Sequence, residues 1–162
     1  MIDLLGYVSP FTSVETMASV CLEAEKYENY KLDADFLNIT FNRIDESIAY
    51  GALFTAYHLR VNAIVALTES GSTALWMSRH KIHVPIYALT SQVRSQRRMA
   101  QYRNVTPLLV PNFTDRDQAL AEAEALLVKS GVLNPGDNYA ITCGEPMGHP
   151  GGTNMLKVCR VA

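Results

Sequence analysis

Hydroxyl side chains are concentrated where an apolar run, residues 63–67, gives way to a helical pattern. The stretch consists of Thr68, Glu69, Ser70, Gly71, Ser72 and Thr73. Hydroxyl groups and the N–H groups at the start of a helix bind phosphate oxygens, and glycine lets the backbone approach closely. The same residue types also cap helices that bind no ligand. The spacing therefore leaves two interpretations open, a phosphate-binding loop and a Ser/Thr-capped helix.

The hydroxyl-rich stretch does not fit the established catalytic and nucleotide motifs. It lacks the lysine of a Walker loop, the three spaced glycines of a dinucleotide fingerprint and the G-x-S-x-G pattern of a nucleophile elbow. Ser70 has no obvious histidine and carboxylate nearby in the sequence. The sequence therefore disfavours a serine hydrolase.

A second candidate loop, residues 144–152, is rich in glycine. It contains Gly144, Gly148, Gly151 and Gly152. Such a loop can fold over a ligand, although a plain surface turn has the same composition. Three arginines, Arg94, Arg97 and Arg98, together with Arg103, can also hold phosphate, but an arginine run on a helix is more often a solvated face.

Composition narrows the classes of function. The chain has 162 residues, 48% hydrophobic residues, 19% charged residues and a net charge of −2, which is typical of one ordinary globular domain. We expect no nucleic-acid partner and no membrane partner, because there is neither a basic excess nor a long apolar run. The start of the chain lacks signal-peptide features, and three cysteines without metal spacing favour reduced thiols in the cytoplasm. The scattered histidines predict no metal site.

The periodicity predicts an α/β fold in which strands and helices alternate after two initial helices. Strands are expected at 63–67, 84–90, 105–111, 138–143 and 153–161, and helices at 71–80, 93–103 and 114–131. We predict a three-layer α/β/α sandwich around a mostly parallel five-stranded sheet. The last strand is expected to be antiparallel, because the nine residues before it are too few for a crossover helix.

The initial helices and the helix ends can also be predicted from the sequence. Residues 1–11 are expected to form a tail, and residues 12–162 the α/β domain. Thr12 or Ser13 is expected to cap the first helix, Asp45 the second and Thr114 the long helix after the third strand. Gly131 is the expected C-terminal stop of that long helix.

Several ordered motifs resemble the C-terminal domain of the pyruvate kinase family. They are TESGSTALWMSRHKIHVPIYALT, YRNVTPLLVP, GDNYAITCGEP and GGTNMLKVCRV, together with the helical stretches SVETMASVCLEAE and DESIAYGALFTAYHL. The resemblance runs from about residue 12 to residue 161. The loop GEPMGHPGG departs from the usual glycine- and serine-rich version in that family.

The resemblance implies a regulatory domain rather than a catalytic one, so no catalytic residue is expected in this chain. In that family the substrates phosphoenolpyruvate and ADP, and the cofactors magnesium and potassium, bind on a barrel and an adjoining domain that precede this region. Nothing here matches those motifs, so no cofactor is expected in this chain. The resemblance implies that residues 68–73 grip the phosphate of an allosteric effector, a sugar phosphate or AMP, and that residues 144–152 close over it. It also implies homo-oligomer contacts and, if the chain is a fragment, contacts with the remainder of pyruvate kinase.

Two other functional interpretations stay open. One is a stand-alone α/β module that binds a sugar phosphate or a nucleotide. The other is a pure oligomerisation domain, in which the hydroxyl-rich stretch is only a helix cap.

Overall fold

A computed structural model describes residues 10–26 and 38–162 in two units, one within residues 1–30 and one within residues 31–162. In the first unit, helix α1 spans Pro10–Lys26. It begins before the predicted caps Thr12 and Ser13, because proline at the first helical position has a φ angle already suited to a helix. Pro10 and Phe11 therefore belong to α1 rather than to the predicted tail, and residues 1–9 of that tail lie outside the described residues.

The second unit contains the alternating strands and helices. Its helices are α2 Ile44–Leu59, α3 Ser72–Ser78, α4 Val93–Met99 and α5 Arg116–Lys129. Its strands are β1 Ala63–Leu67, β2 Ile86–Thr90, β3 Val105–Leu109, β4 Asn138–Gly144 and β5 Thr153–Arg160. Within residues 10–26 and 38–162, no helix combines the length and apolar character needed to cross a membrane.

The sheet has five strands in the order β3-β2-β1-β4-β5. Strands β1 to β4 run parallel, with Ile64 beside Ile86 on one side and Ala140 on the other. Strand β5 pairs with β4 in the antiparallel direction. The predicted fold class, including the antiparallel last strand, is confirmed.

Alternate residues of the central strands face two different cores. Val65 and Leu89 pack with Leu127 of α5 on one face of the sheet. Ile64 and Ile86 pack on the other face, in a core that includes residues of α2 and α3. The central strands are buried on both sides, which explains why β1 reads as a continuous apolar run rather than an alternating one. Helices on both faces make the three predicted layers.

The helix ends differ from the sequence predictions by one or two positions. Helix α5 is capped by Asp115, whose side chain accepts a hydrogen bond from the Gln118 N–H, and not by Thr114. Asp45 lies in the first turn of α2, while Arg43 occupies the N-cap position without a side-chain capping bond. Gly131 follows the last turn of α5 with a φ of 72°, which confirms it as the C-terminal stop.

Candidate functional site

The two predicted loops lie at the point where the chain reverses its direction across the sheet. From β1 the chain moves outward through β2 to β3, and it then returns to β4 on the other side of β1. The loops that follow β1 and β4 therefore leave neighbouring strand ends. Ligands of open α/β sheets bind in the crevice at such a switch point.

The hydroxyl groups of the first loop are largely bonded within the protein. Thr68 Oγ1 accepts a hydrogen bond from the Gly71 N–H at 2.9 Å, and the Ser70 hydroxyl donates to Ser72 Oγ at 3.2 Å. Gly71 is the N-cap of α3 and has the left-handed conformation, with a φ of 78°. Helix α3 thus begins without a side-chain cap at its N-cap position, and Thr68 supports the turn that precedes it.

Thr73 is turned inward. Its side chain is fully buried, and its Oγ1 lies 2.7 Å from Oγ1 of Thr153 at the start of β5. The hydroxyl of Thr73 therefore connects the first loop to the strand that follows the second loop. Sequence reasoning did not select Thr153, although this residue lies in the motif GGTNMLKVCRV, on which the family resemblance partly rests.

Helix α4 and the turn that precedes it support the first loop from the β2 side. The Ser95 hydroxyl donates to the Glu69 carbonyl oxygen at 2.7 Å, and the Ser91 hydroxyl lies 3.3 Å from the Glu69 carboxylate. The Arg98 guanidinium donates to the Ser70 carbonyl oxygen. Of the arginines considered from the sequence, Arg98 is the one with a described hydrogen bond to the hydroxyl-rich loop.

The glycine-rich loop is closely packed where it leaves β4. A side chain at Gly144 would place its Cβ 2.8 Å from the Gly152 carbonyl oxygen, so only glycine fits there. Gly148 and Gly151, further along the loop, have φ angles of 85° and 73°, which favour glycine. The surroundings of Gly148 are open, since a Cβ added there would meet nothing within 4 Å beyond its chain neighbours.

A narrow cleft separates the loops. Five of the predicted site residues line it, namely Thr68, Glu69, Gly144, Gly148 and Gly151. The others, Ser70, Gly71, Ser72, Thr73 and Gly152, are not among its lining residues. Residues that were not predicted individually complete the wall, including Thr90, Ser91, Phe113, Met147, His149 and Thr153. The cleft has a volume of about 40 Å³, which is enough for a few water molecules.

A buried carboxylate adjoins the hydroxyl-rich loop. The Arg43 guanidinium beside Asp45 lowers the pKa of that carboxyl group, and a hydrogen bond from Ser72 lowers it further, against the opposing effect of burial. Asp45 is only 2% exposed. A side-chain carbon at Gly151 would lie 3.6 Å from Arg43 Nη2, so this guanidinium also borders the glycine-rich loop.

The described residues offer two further observations about ligands. No group of three or more His, Cys, Asp and Glu side chains suited to a metal ion occurs within residues 10–26 and 38–162. A larger cavity, about 520 Å³, is lined by Tyr57, His58, Arg60 and His83 near the end of α2. It borders the amino ends of β1 and β2, opposite the edge where ligands of α/β sheets bind.

Comparison with known proteins identifies the family. A family model described as the alpha/beta domain of pyruvate kinase matches residues 46–159. The chain belongs to this family. The match contains both loops, strands β1 to β4 and all of β5 except Arg160, whereas α1 precedes it.

Whole pyruvate kinases are similar to nearly the full length of the chain. Over 153 residues, it is 38% identical to pyruvate kinase II of Salmonella typhimurium and 37% identical to pyruvate kinase of Buchnera aphidicola subsp. Baizongia pistaciae. Each match covers 94% of this chain and 32% of the relative. A pyruvate kinase of Staphylococcus epidermidis is 35% identical over 150 residues, covering 92% of the chain and 26% of the relative. The chain thus spans about a third or less of the length of these relatives.

Proposed function

We propose that the chain is the C-terminal regulatory domain of a pyruvate kinase and binds a phosphorylated small molecule between its two loops. The observation that carries the proposal is the convergence of the hydroxyl-rich and glycine-rich loops at the switch point of the sheet. Membership of the pyruvate kinase alpha/beta domain family supports it.

The phosphate group is assigned to the hydroxyl-rich loop. Ser70 is half-buried, and its O–H, which donates to Ser72 Oγ, can be redirected to a phosphate oxygen. Arg98 already contacts the backbone of this loop and supplies a positive charge beside it. Charged hydrogen bonds of this kind are shorter and stronger than neutral ones, so the arginine adds affinity for an anion.

The remainder of the effector is assigned to the cleft. Of the described residues that line it, none is Lys or Arg, while Glu69, Thr90 and Ser91 offer oxygen atoms. Such a wall accepts the hydroxyl groups of a sugar and presents no cationic side chain of its own to a second phosphate. Arg43, which borders the loop at Gly151, is already paired with Asp45. A sugar monophosphate or AMP therefore suits the cleft better than a bisphosphate does.

Binding requires the glycine-rich loop to move. A volume of about 40 Å³ is far below the 300–1,000 Å³ of typical small-molecule pockets. Residues 145, 146 and 148–151 of this loop are exposed, so outward movement breaks few buried contacts. We therefore assign the structure to a closed state of the cleft without effector.

Catalysis and cofactor binding are assigned to parts of the enzyme outside this chain. In that arrangement the whole protein is a cytoplasmic glycolytic enzyme that transfers phosphate from phosphoenolpyruvate to ADP, with magnesium and potassium on its barrel. The domain contributes the effector site and subunit contacts in a homo-oligomer. The isolated chain is expected to show no such transfer in a coupled assay.

One specific observation favours a second candidate, a pure oligomerisation domain. The hydroxyl groups of Thr68, Ser70 and Thr73 all have partners within the protein, as they would if the loop only supported a helix start. A stand-alone sugar-phosphate or nucleotide-binding module is the third candidate. The sequence that precedes the chain in its gene distinguishes this module from an enzyme domain, since a barrel there identifies the enzyme.

A thermal-shift screen of the chain with ribose 5-phosphate, AMP and fructose 1,6-bisphosphate tests the proposal. A monophosphate at 100 times its Kd is expected to add about 2.7 kcal/mol to the free energy of unfolding. Sodium sulfate at equal ionic strength is the control for general salt effects. Melting temperatures that respond equally to sulfate and to every sugar phosphate would favour the oligomerisation domain.

A further inference from the structure

We infer that Thr153 and Asn154 are positioning residues that hold the two loops of the cleft together in the closed state. The inference rests on the proposed function, since it concerns the same cleft. It adds two residues, at the start of β5, that neither the hydroxyl-rich loop nor the glycine-rich loop contains.

Asn154 secures the glycine-rich loop near β4. Its side-chain Nδ2 donates to the Glu145 carbonyl oxygen at 2.7 Å, and its Oδ1 accepts from the Glu145 N–H at 2.9 Å. The backbone N–H and the carbonyl oxygen of Glu145 are thus both paired with the Asn154 side-chain amide.

The pairing of Asn154 with Glu145 lies at the end of the β4–β5 ladder, where the glycine-rich loop begins. The β4–β5 ladder has an irregular register between Cys143 and Gly144, and the last backbone pair joins Gly144 to Thr153. Glu145 follows directly after this end of the ladder. The Asn154 amide bonds to Glu145 as a neighbouring peptide group would, and it thereby extends the pairing by one residue into the loop.

Thr153 secures the other loop. Its hydroxyl is hydrogen-bonded to Thr73 in the first turn of α3, and both side chains are buried. Thr153 also lines the cleft. Since consecutive residues of a strand point to opposite faces, Thr153 and Asn154 can reach two different loops from adjacent positions.

Glu145 also forms an ion pair with Arg116, which is too exposed to hold the loop in the way that the Asn154 amide does. Its carboxylate lies 3.0 Å from Arg116 Nη1, and the two side chains are 53% and 39% exposed. Exposed ion pairs contribute little and are screened by salt. The Asn154 pairing is therefore the main restraint on the position of Glu145.

Amide hydrogen exchange on the ligand-free chain tests the inference whether or not an effector binds. Asn154→Ala is expected to speed exchange of the Glu145 N–H by about tenfold, because this N–H donates to Asn154 Oδ1 and loses its acceptor. Asn154→Asp keeps the acceptor and loses the donor, so a smaller acceleration is expected. The matched control is Asn134→Ala, which removes an exposed side-chain bond to Asp137 and should leave exchange at 145–152 unchanged. Unchanged exchange in Asn154→Ala would overturn the role of Asn154.

Calorimetric titration with ribose 5-phosphate tests the consequence for binding. Thr153→Val has nearly the same shape but no hydroxyl. Because it removes a hydrogen bond that holds the closed, effector-free state, it is expected to strengthen binding about tenfold, the scale of one buried hydrogen bond. Thr153→Ser retains the hydroxyl and should keep the affinity of the parent chain, which a purely steric role would not predict. Equal affinities of Thr153→Val and the parent chain would overturn the role of Thr153. If the parent chain binds neither ribose 5-phosphate nor AMP, the proposed function fails, while the exchange experiment still decides the inference.

Discussion

Asp45 Oδ2 and Arg43 Nη2 lie 2.8 Å apart, and they form an ion pair in which only one partner is buried. The Asp45 side chain is 2% exposed, whereas that of Arg43 is 54% exposed. Arg43 Nε makes a second hydrogen bond, to Asp45 Oδ1 at 2.9 Å, so the contact is bidentate. Such geometry fixes the guanidinium at the start of α2, beside the glycine-rich loop at Gly151.

Asp45→Asn is expected to lower the free energy of unfolding by about 1–3 kcal/mol at pH 7, because a neutral amide replaces a buried, charge-paired acceptor. The pKa of Asp45 is lowered below its ordinary value of 3.8, mainly by the hydrogen bond from Arg43. The stabilisation is therefore complete above pH 3.8 and is lost as the pH falls through the lower folded-state pKa.

Urea denaturation of both proteins at pH 7 and near pH 2 measures this difference. Asp117→Asn is the matched control, since Asp117 is also paired with an arginine but is 76% exposed. A difference between parent and Asp45→Asn that is the same at both pH values would contradict the charged pairing.

Ser70→Asp is expected to abolish effector binding and spare the fold. A carboxylate in this loop is a like charge toward phosphate at hydrogen-bond distance, which costs several kcal/mol of binding free energy. Stability should change by no more than about 1 kcal/mol, because a carboxylate near a helix start is compatible with the helix dipole. Calorimetric titration with ribose 5-phosphate and melting curves provide the measurements. Ser70→Ala, which only removes the hydroxyl, is the control, and equal binding by Ser70→Asp and Ser70→Ala would refute the phosphate assignment.

Arg98→Gln is expected to weaken sugar-phosphate binding by about tenfold or more, the scale of one hydrogen bond to a charged group. The remaining affinity should also depend less on salt, since one charge is missing. Arg97→Gln is the control, because Arg97 is an exposed neighbour on the same helix. Calorimetric titration of both variants with ribose 5-phosphate, at low and at high sodium chloride, compares how strongly their affinities depend on salt. Identical salt dependence in both would count against Arg98 as the phosphate partner.

Gly51→Ala is expected to raise the free energy of unfolding by about 0.5–1 kcal/mol, because glycine is a poor helix former. Gly51 lies within α2, and an added Cβ would contact Leu156 Cδ2 at an ordinary 3.8 Å. The melting temperature should rise by about 2–4 °C for each kcal/mol gained. Gly131→Ala should have the opposite effect despite its open surroundings, since Gly131 has a φ of 72°. A lower melting temperature for Gly51→Ala would show that the contact with Leu156 is strained.

Self-association through β5 is a further prediction, because β5 is an edge strand of the sheet. Val158 on this strand is 43% exposed. We expect a dimer by light scattering at high concentration, and we expect Val158→Lys to shift it toward monomer. A parent chain that stays monomeric at the highest attainable concentration would exclude this interface for the isolated chain.

The sequence predicted the fold well, because strand burial on both faces and helical periodicity are local signals. Helix caps were less predictable. Thr114 and Asp115 are both good capping residues, and a difference of one position depends on backbone angles that the residue types do not specify. The predicted loops lie near each other, as the switch-point rule requires. The inward orientation of Thr73 could not be predicted, since its partner Thr153 is contributed by a strand whose register emerges only in the folded sheet.

The contact between Thr73 and Thr153 joins positions 80 residues apart in the chain, and this separation has a kinetic consequence. Contacts of high sequence separation form late, because the entropy of closing a long loop opposes them until other interactions compensate. The first three strands can pair from neighbouring segments, whereas the cleft needs β4 and β5 to dock on the far side of β1. During refolding, recovery of far-ultraviolet circular dichroism should therefore precede recovery of effector binding. Partly synthesised or truncated chains that end before β5 would then acquire helices without acquiring responsiveness to the effector.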